Sequence, residues 1–257
     1  MKKFLKPLAN SKIGVFFREK TGLRPPIFLF GNEPSFLSSD LFFWRTDNSY
    51  STIFKASDIL KKYYDQESIL ILIFFDSCGR FLLKKSIEFH YGMAVIPITT
   101  DLIGMKDMGT FIALNVPKEP LSCDVQVTNR CYVGYGKNDS YSMVHGNMTA
   151  MKIQPNIKSA DLLKHIKPAI SGRKGNFRYY LQKPNHPSSK MSLIFTNPLD
   201  RKVTVAINQK KHKVDSMSFI KVPVLTEGQS VLVESDFVWP RPLVFCEKGK
   251  FIDVHHG

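Results

Sequence analysis

Each half of this chain closes on the same short pattern, and that repetition limits the architectures open to it. Arg130-Cys-Tyr-Val-Gly-Tyr135 leads through a polar turn to Met143-Val-His145-Gly146. Arg241-Pro-Leu-Val-Phe-Cys246 leads through another to Asp253-Val-His255-His256-Gly257. In both, an Arg opens a strand, a turn reverses the chain, and Val-His closes the return strand. Self-similarity of this kind is a primary signal of architecture in a single sequence. It predicts a mainly β protein of two tandem β-sandwich modules, immunoglobulin-like or jelly-roll-like, with one or two short helices.

The resemblance between the halves extends upstream. Ile69 to Phe75 is an apolar run that meets the turn residues Asp76-Ser-Cys-Gly-Arg80 and then Phe81-Leu-Leu. Met191 to Thr196 meets Asn197-Pro-Leu-Asp-Arg201 and then Lys202 to Ile207. Each reads as a hairpin. A strand with an internal proline follows in each half, Met93-Ala-Val-Ile-Pro-Ile98 and Phe219-Ile-Lys-Val-Pro-Val224.

These landmarks divide the chain into a basic N-terminal arm over 1–26, a first module over 27–152, a basic linker over 153–176 and a second module over 177–257. Helices are expected at Ser57 to Tyr64, capped by Ser57 or Asp58, and at Ser159 to Lys167, stopped before Pro168. No apolar run approaches the ~20 residues of a membrane helix. The N-terminus lacks the apolar core of a signal peptide, so a cytoplasmic location is expected. The four cysteines have no Cys-x-x-Cys spacing and read as reduced thiols.

Charge is uneven, and its placement suggests partners. The chain carries a formal net charge of +14. Residues 152–221 hold fifteen Lys or Arg against three acids, and residues 1–24 hold seven against one. Such clustering attracts polyanions. Lysine dominates, which favours diffuse attraction over bidentate phosphate recognition.

The candidate chemistry is thin. There is no Gly-x-Ser-x-Gly elbow and no Gly-rich phosphate loop. Asp40 and Asp47 flank the Phe-Phe-Trp strand as a glycosidase pair would, but strand-end acids usually cap turns. Arg130 with His145, and Arg241 with His255, read as two anion sites, or as structural bonds repeated with the fold. Tyr135 and Tyr141 are the expected exposed aromatic pair, with Tyr179-Tyr180 as another platform for sugars or bases. With twenty Phe and nine Tyr, at least half of the rings must be core.

The favoured reading is a non-catalytic binding or assembly protein that grips an anionic polymer, polysaccharide or nucleic acid. Its expected ligand-binding residues are Arg130, Tyr135, Tyr141, His145, Lys174, Arg178, Lys210, Lys211, Arg241 and His255, and no cofactor is expected. The opposing reading is an enzyme, possibly carbohydrate-active, in the inter-module cleft. It would use His145, Asp47 and Arg130, or a divalent metal on His145, His255 and Asp253. A third is a homo-oligomer paired through sheet edges.

Overall fold

The computed structural model describes residues 36–119, 131–138, 140–146, 151–153, 167–168, 174–182, 190–199, 201–224, 230–237 and 241–257. The expected N-terminal arm, Arg130, Cys123 and residues 159–166 of the expected second helix lie outside them.

The first half runs β1 (Phe36–Arg45), β2 (Tyr50–Ser57), helix α1 (Ile59–Tyr64), β3 (Ser68–Phe75), β4 (Phe81–Glu88), β5 (Met93–Ile98), helix α2 (Thr100–Ile103), β6 (Met108–Pro117), β7 (Tyr132–Lys137) and β8 (Ser140–His145). Two short strands follow, β9 (Met151–Ile153) and β10 (Lys167–Pro168). The second half runs β11 (Lys174–Gln182), β12 (Lys190–Thr196), β13 (Val203–Ile207), β14 (Lys210–Val214), β15 (Phe219–Val224), β16 (Ser230–Phe237), β17 (Leu243–Lys248) and β18 (Phe251–His256). The expected linker thus holds strand: Lys167 and Pro168 extend a sheet rather than end a helix.

Four sheets result. Sheet I has the order β10-β9-β1-β6-β3-β4, sheet II β5-β2-β7-β8, sheet III β15-β12-β17-β18 and sheet IV β11-β16-β13-β14. Each mixes strands that are not consecutive in sequence, so none is a simple meander. The prolines Pro97 and Pro223 sit on β5 and β15, both edge strands, where a missing N–H breaks no inner ladder. Asp58 caps α1 by accepting from the Lys61 N–H at 3.0 Å. Asn48 and Ser49 have positive φ, as a tight primed turn between β1 and β2 requires.

The sheets stand in a ring. Sheets I and II meet through Phe42, Phe54 and Phe111, whose ring centroids lie 5.1–5.2 Å apart. Sheets II and III meet where β8 lies beside β18, and through Tyr135 and Phe245 at 4.9 Å. Sheets III and IV share a core of Leu193, Phe195, Val205, Val231, Val233 and Val244. The β14–β15 turn returns to sheet I: Thr110 Oγ1 donates to the Met217 carbonyl at 2.5 Å, and Met217 packs against Ile73, Phe75 and Ile112.

This arrangement corrects the expectation of two tandem β-sandwich modules. A module of that kind closes one core between two sheets and leaves the outer faces to water. Here the inner strands β3 and β6 of sheet I, and β12 and β17 of sheet III, are buried on both faces. In β3, Leu70, Leu72 and Phe74 join the largest core cluster, while Ile71, Ile73 and Phe75 join another. In sheet III, Val244 and Cys246 face sheet IV, while Leu243, Phe245 and Val254 join the cluster that contains Phe43, Tyr50 and Tyr135. One core therefore runs through both halves. The strand orders also differ from the ABED and CFG sheets of an immunoglobulin domain.

A second correction concerns the hairpins. Ile69–Phe75 and the run after it do pair, as β3 with β4. Met191–Thr196 and Val203–Ile207 do not pair with each other: β12 lies in sheet III and β13 in sheet IV. Asn197, fully buried, makes the crossing by bonding the Arg201, Val214 and Asp215 carbonyls from its side-chain amide. In strand order, the counterpart of β3 is β13, not β12.

Candidate binding surfaces and the inter-sheet sites

The two Val-His endings meet in space. β8 and β18 run side by side, joined by side-chain bonds rather than a regular ladder. Ser142 Oγ accepts from the Val254 N–H at 2.8 Å and donates to the Val254 carbonyl at 3.1 Å. The Ile252 N–H donates to Ser140 Oγ at 3.3 Å. Two sheet edges thus cover one another, which removes them from the surfaces available for pairing between copies. At the end of this seam the rings of His145 and His256 lie 5.0 Å apart. His256 Nε2 is 2.5 Å from the His145 carbonyl, and its Nδ1 is buried without a protein partner.

These rings border a cavity between sheets I, II and III, whose polar lining is Asp40, Tyr135, His145, Thr196, Arg241 and His256. Its volume is about 10 Å³, room for roughly one water molecule and not for a substrate. Burial pushes the His256 imidazole down to about 4; the bond to the His145 carbonyl works against that, and the Arg241 charge adds to it. Arg241 Nε donates to the Gly257 carbonyl at 2.9 Å. Strand alternation sends His255 outward, where it pairs with Asp253 at 3.0 Å. Arg241 therefore shares its site with His256 and His145, not with His255.

Asp47 lies elsewhere. It lies three residues before Tyr50, which pairs with Lys137 on β7, whereas His145 pairs with Tyr132 at the other end of that strand. Five residues of strand separate these registers, about 17 Å. Asp47 belongs to a cluster built on Arg45, which is 1% exposed. Arg45 Nε and Nη2 each donate to the Asp47 carboxylate at 2.7 Å, and the guanidinium lies 3.3 Å over the Tyr50 ring. Lys137 from sheet II pairs with Glu247 from sheet III beside it. Burial alone would raise the Asp47 carboxyl, but the Arg45 bonds and charge outweigh it and hold the group below its usual range. Burial and the neighbouring Glu247 push the Tyr50 phenol upward. Sequence reasoning missed this cluster. Its one local signal was Arg45 two residues before Asp47, which is indistinguishable from a capped turn.

The proposed catalytic set His145, Asp47 and Arg130 is therefore not brought together: two members are apart and the third lies outside the described residues. Nor do His145, His255 and Asp253 converge. Among the described residues, no group of three or more His, Cys, Asp or Glu could hold a metal ion, and no helix is long and apolar enough to cross a membrane.

The remaining expected ligand residues divide between core and surface. Tyr135 is not exposed: it is fully buried between Phe43 and Phe245, and its hydroxyl donates to the Phe43 carbonyl at 2.9 Å. Tyr141 is exposed on sheet II. Tyr179 faces inward, and Tyr180 faces out from β11 at 64% exposure. Register places Arg178 opposite Glu234, Glu234 opposite Ala206 and Ala206 opposite Lys211. The next row holds Thr204 and Lys213. The outer face of sheet IV thus runs from Arg178 and Tyr180 on β11 to Lys211 and Lys213 on the β14 edge. Arg178 bonds Glu234 through Nε at 2.9 Å and Nη2 at 2.5 Å, and Lys210, Lys211 and Lys213 are exposed. The register of β11 begins at Lys174, opposite Phe237.

No family model matches the chain, and no curated protein matches it. Among solved structures, a similar chain is Streptomyces avermitilis alpha-L-rhamnosidase complexed with L-rhamnose, at 9% identity and a TM-score of 0.27. The match covers 88% of this chain and 26% of that one, so the chain spans about a quarter of the enzyme's length. A likeness this slight transfers neither fold nor activity.

Proposed function

We propose that the protein is a non-catalytic binding protein that holds an anionic polymer, polysaccharide or nucleic acid, against the outer face of sheet IV. The observation that carries the reading is Tyr180, 64% exposed, on the same sheet face as the exposed cations Lys211 and Lys213. A flat face with a ring at one edge and lysines at the other suits a polymer laid across the strands. The β11 to β14 distance is three strand spacings, about 14 Å. The lysines supply attraction without shaped phosphate contacts, and the ring supplies stacking. Lysines on an edge strand also block pairing with another chain, so the test must separate the two roles.

Fluorescence anisotropy with labelled heparin and with labelled oligothymidylate, at rising NaCl, does so. The expected affinity falls linearly on a log–log plot against salt. A Lys211→Glu, Lys213→Glu double variant should flatten the slope, and Tyr180→Ala should weaken binding at every salt. Absence of binding to both polymers at low ionic strength, or binding that both variants leave intact, refutes the proposal.

A further inference from the structure

The outer face of sheet II has a different character. Register sets Met93, Val95 and Pro97 on β5, Ile53 and Lys55 on β2, Tyr132, Gly134 and Gly136 on β7, and Tyr141 and Met143 on β8 along one face. Met93, Val95, Tyr132, Tyr141 and Met143 are 41–55% exposed. By register Lys55 and His145 are the only Lys, Arg, His, Asp or Glu along this face, and the His145 ring lies beside His256 at the inter-sheet seam.

Its tyrosine is held flat. A Cβ on Gly136 would lie 2.3 Å from the Tyr141 ring, and one on Gly134 would lie 2.2 Å from Met143 Sδ. The Tyr141 hydroxyl and Ser51 Oγ are 3.1 Å apart, and Ser51 is on β2, the strand beyond Gly136. The side chain therefore crosses β7 against bare backbone, with one ring face on the sheet and the other in solvent. Met143 lies down beside it over Gly134. The glycines are what allow this: any side chain at either position would lift its neighbour off the sheet. A ring fixed in this way has already lost the freedom that binding would otherwise remove.

Size and charge select the occupant. Four strands of about 4.8 Å spacing by five or six residues at about 3.3 Å give on the order of 300–400 Å². That is half or less of the ~800 Å² per partner in a stable protein complex, which disfavours a second copy. The near absence of charge disfavours a polyanion. An extended, uncharged chain of rings with apolar faces fits both limits. Tyr132 opposes His145 while Tyr141 opposes Gly136, so the two tyrosines stand four residues of strand apart, about 13 Å.

We propose that this face binds an uncharged glycan strand, with Tyr141 and Tyr132 stacking on sugar rings and Met143 filling the floor between them. The site is separate from sheet IV and stands whether or not the polyanion reading holds. Native affinity electrophoresis through gels containing mixed-linkage β-glucan, galactomannan or dextran tests it. At least one glycan should retard the protein, equally at low salt and near ~1 M NaCl, where the Debye length is about 3 Å. Tyr141→Ala should weaken the retardation roughly tenfold, in keeping with the loss of one stacking ring. Tyr132→Ala should also weaken it, and Gly136→Ala should do so by displacing the ring while leaving it in the chain. The Lys211→Glu, Lys213→Glu variant should behave as the parent. Retardation by none of the glycans, retardation that Tyr141→Ala leaves unchanged, or a dimer in sedimentation velocity that Tyr141→Ala dissolves, would each overturn the proposal. Tryptophan emission checks that each variant is folded.

Discussion

Phe245→Ala tests whether one core unites the halves. Phe245 lies on β17 and is fully buried. Its ring meets Tyr135 at 4.9 Å, Phe43 at 5.9 Å and Tyr50 at 6.5 Å, all from the first half and all at steep interplanar angles. Truncating a buried Phe to Ala costs about 3–5 kcal/mol, and edge-on ring pairs add about 0.5–1.5 kcal/mol each. Because neighbours relax and these effects overlap, the expected loss is about 4–5 kcal/mol. With a urea m-value near ~3 kcal/mol/M, the midpoint should fall by roughly 1.5 M. The readout is placed in the other half. Trp44 on β1 is fully buried and donates to the Phe75 and Thr110 carbonyls at 3.2 Å each. In a Trp239→Phe background its fluorescence reports sheet I alone. If the core is continuous, the Trp44 transition shifts with the far-ultraviolet dichroism as one step. A Trp44 transition that stays in place while a second, earlier step appears would refute the shared core.

Two further outcomes follow from the β8–β18 seam. His256 titrates below its ordinary value because it is buried neutral, so the unfolded chain takes up a proton first as pH falls. Its contribution to stability is full above about pH 6.5 and is lost on the way down to pH 4; His256→Asn should flatten the thermal midpoint over that window relative to the parent, and an unchanged pH profile would count against the buried-histidine account. Ser142→Ala removes both bonds to Val254 and should cost about 1–3 kcal/mol, with hydrogen exchange at the Val254 amide accelerating selectively; equal protection in the variant would show that β18 is held by other contacts.

Much of the strand content was legible because it depends on local pattern. The alternation of β5 and β16, the Asp76–Arg80 turn with Gly79 at positive φ and the Asp58 cap are set by residues within a few positions of one another. The run Ile69–Phe75 even carried the sign of its double burial, since an unbroken apolar strand has no face to give to water. The surface was legible only in part. Tyr135 and Tyr141 look alike in sequence, both beside a polar turn. One faces a core supplied by Phe245, more than a hundred residues away, and the other faces solvent across Gly136.

Sequence alone decided that this chain would be β-rich and where many of its turns would fall, and its prolines barred β5 and β15 from inner positions, because periodicity, proline placement and turn chemistry act over short range. Tertiary structure alone decided which sheet each strand joined. β12 and β13 are separated by a turn much like the one between β3 and β4, yet they part company because Asn197 and the two-sided burial of sheet III reward a crossing over a hairpin. The merging of the halves has the same origin: it rests on rings and backbone groups whose partners are distant in the chain, and no local pattern records such pairings.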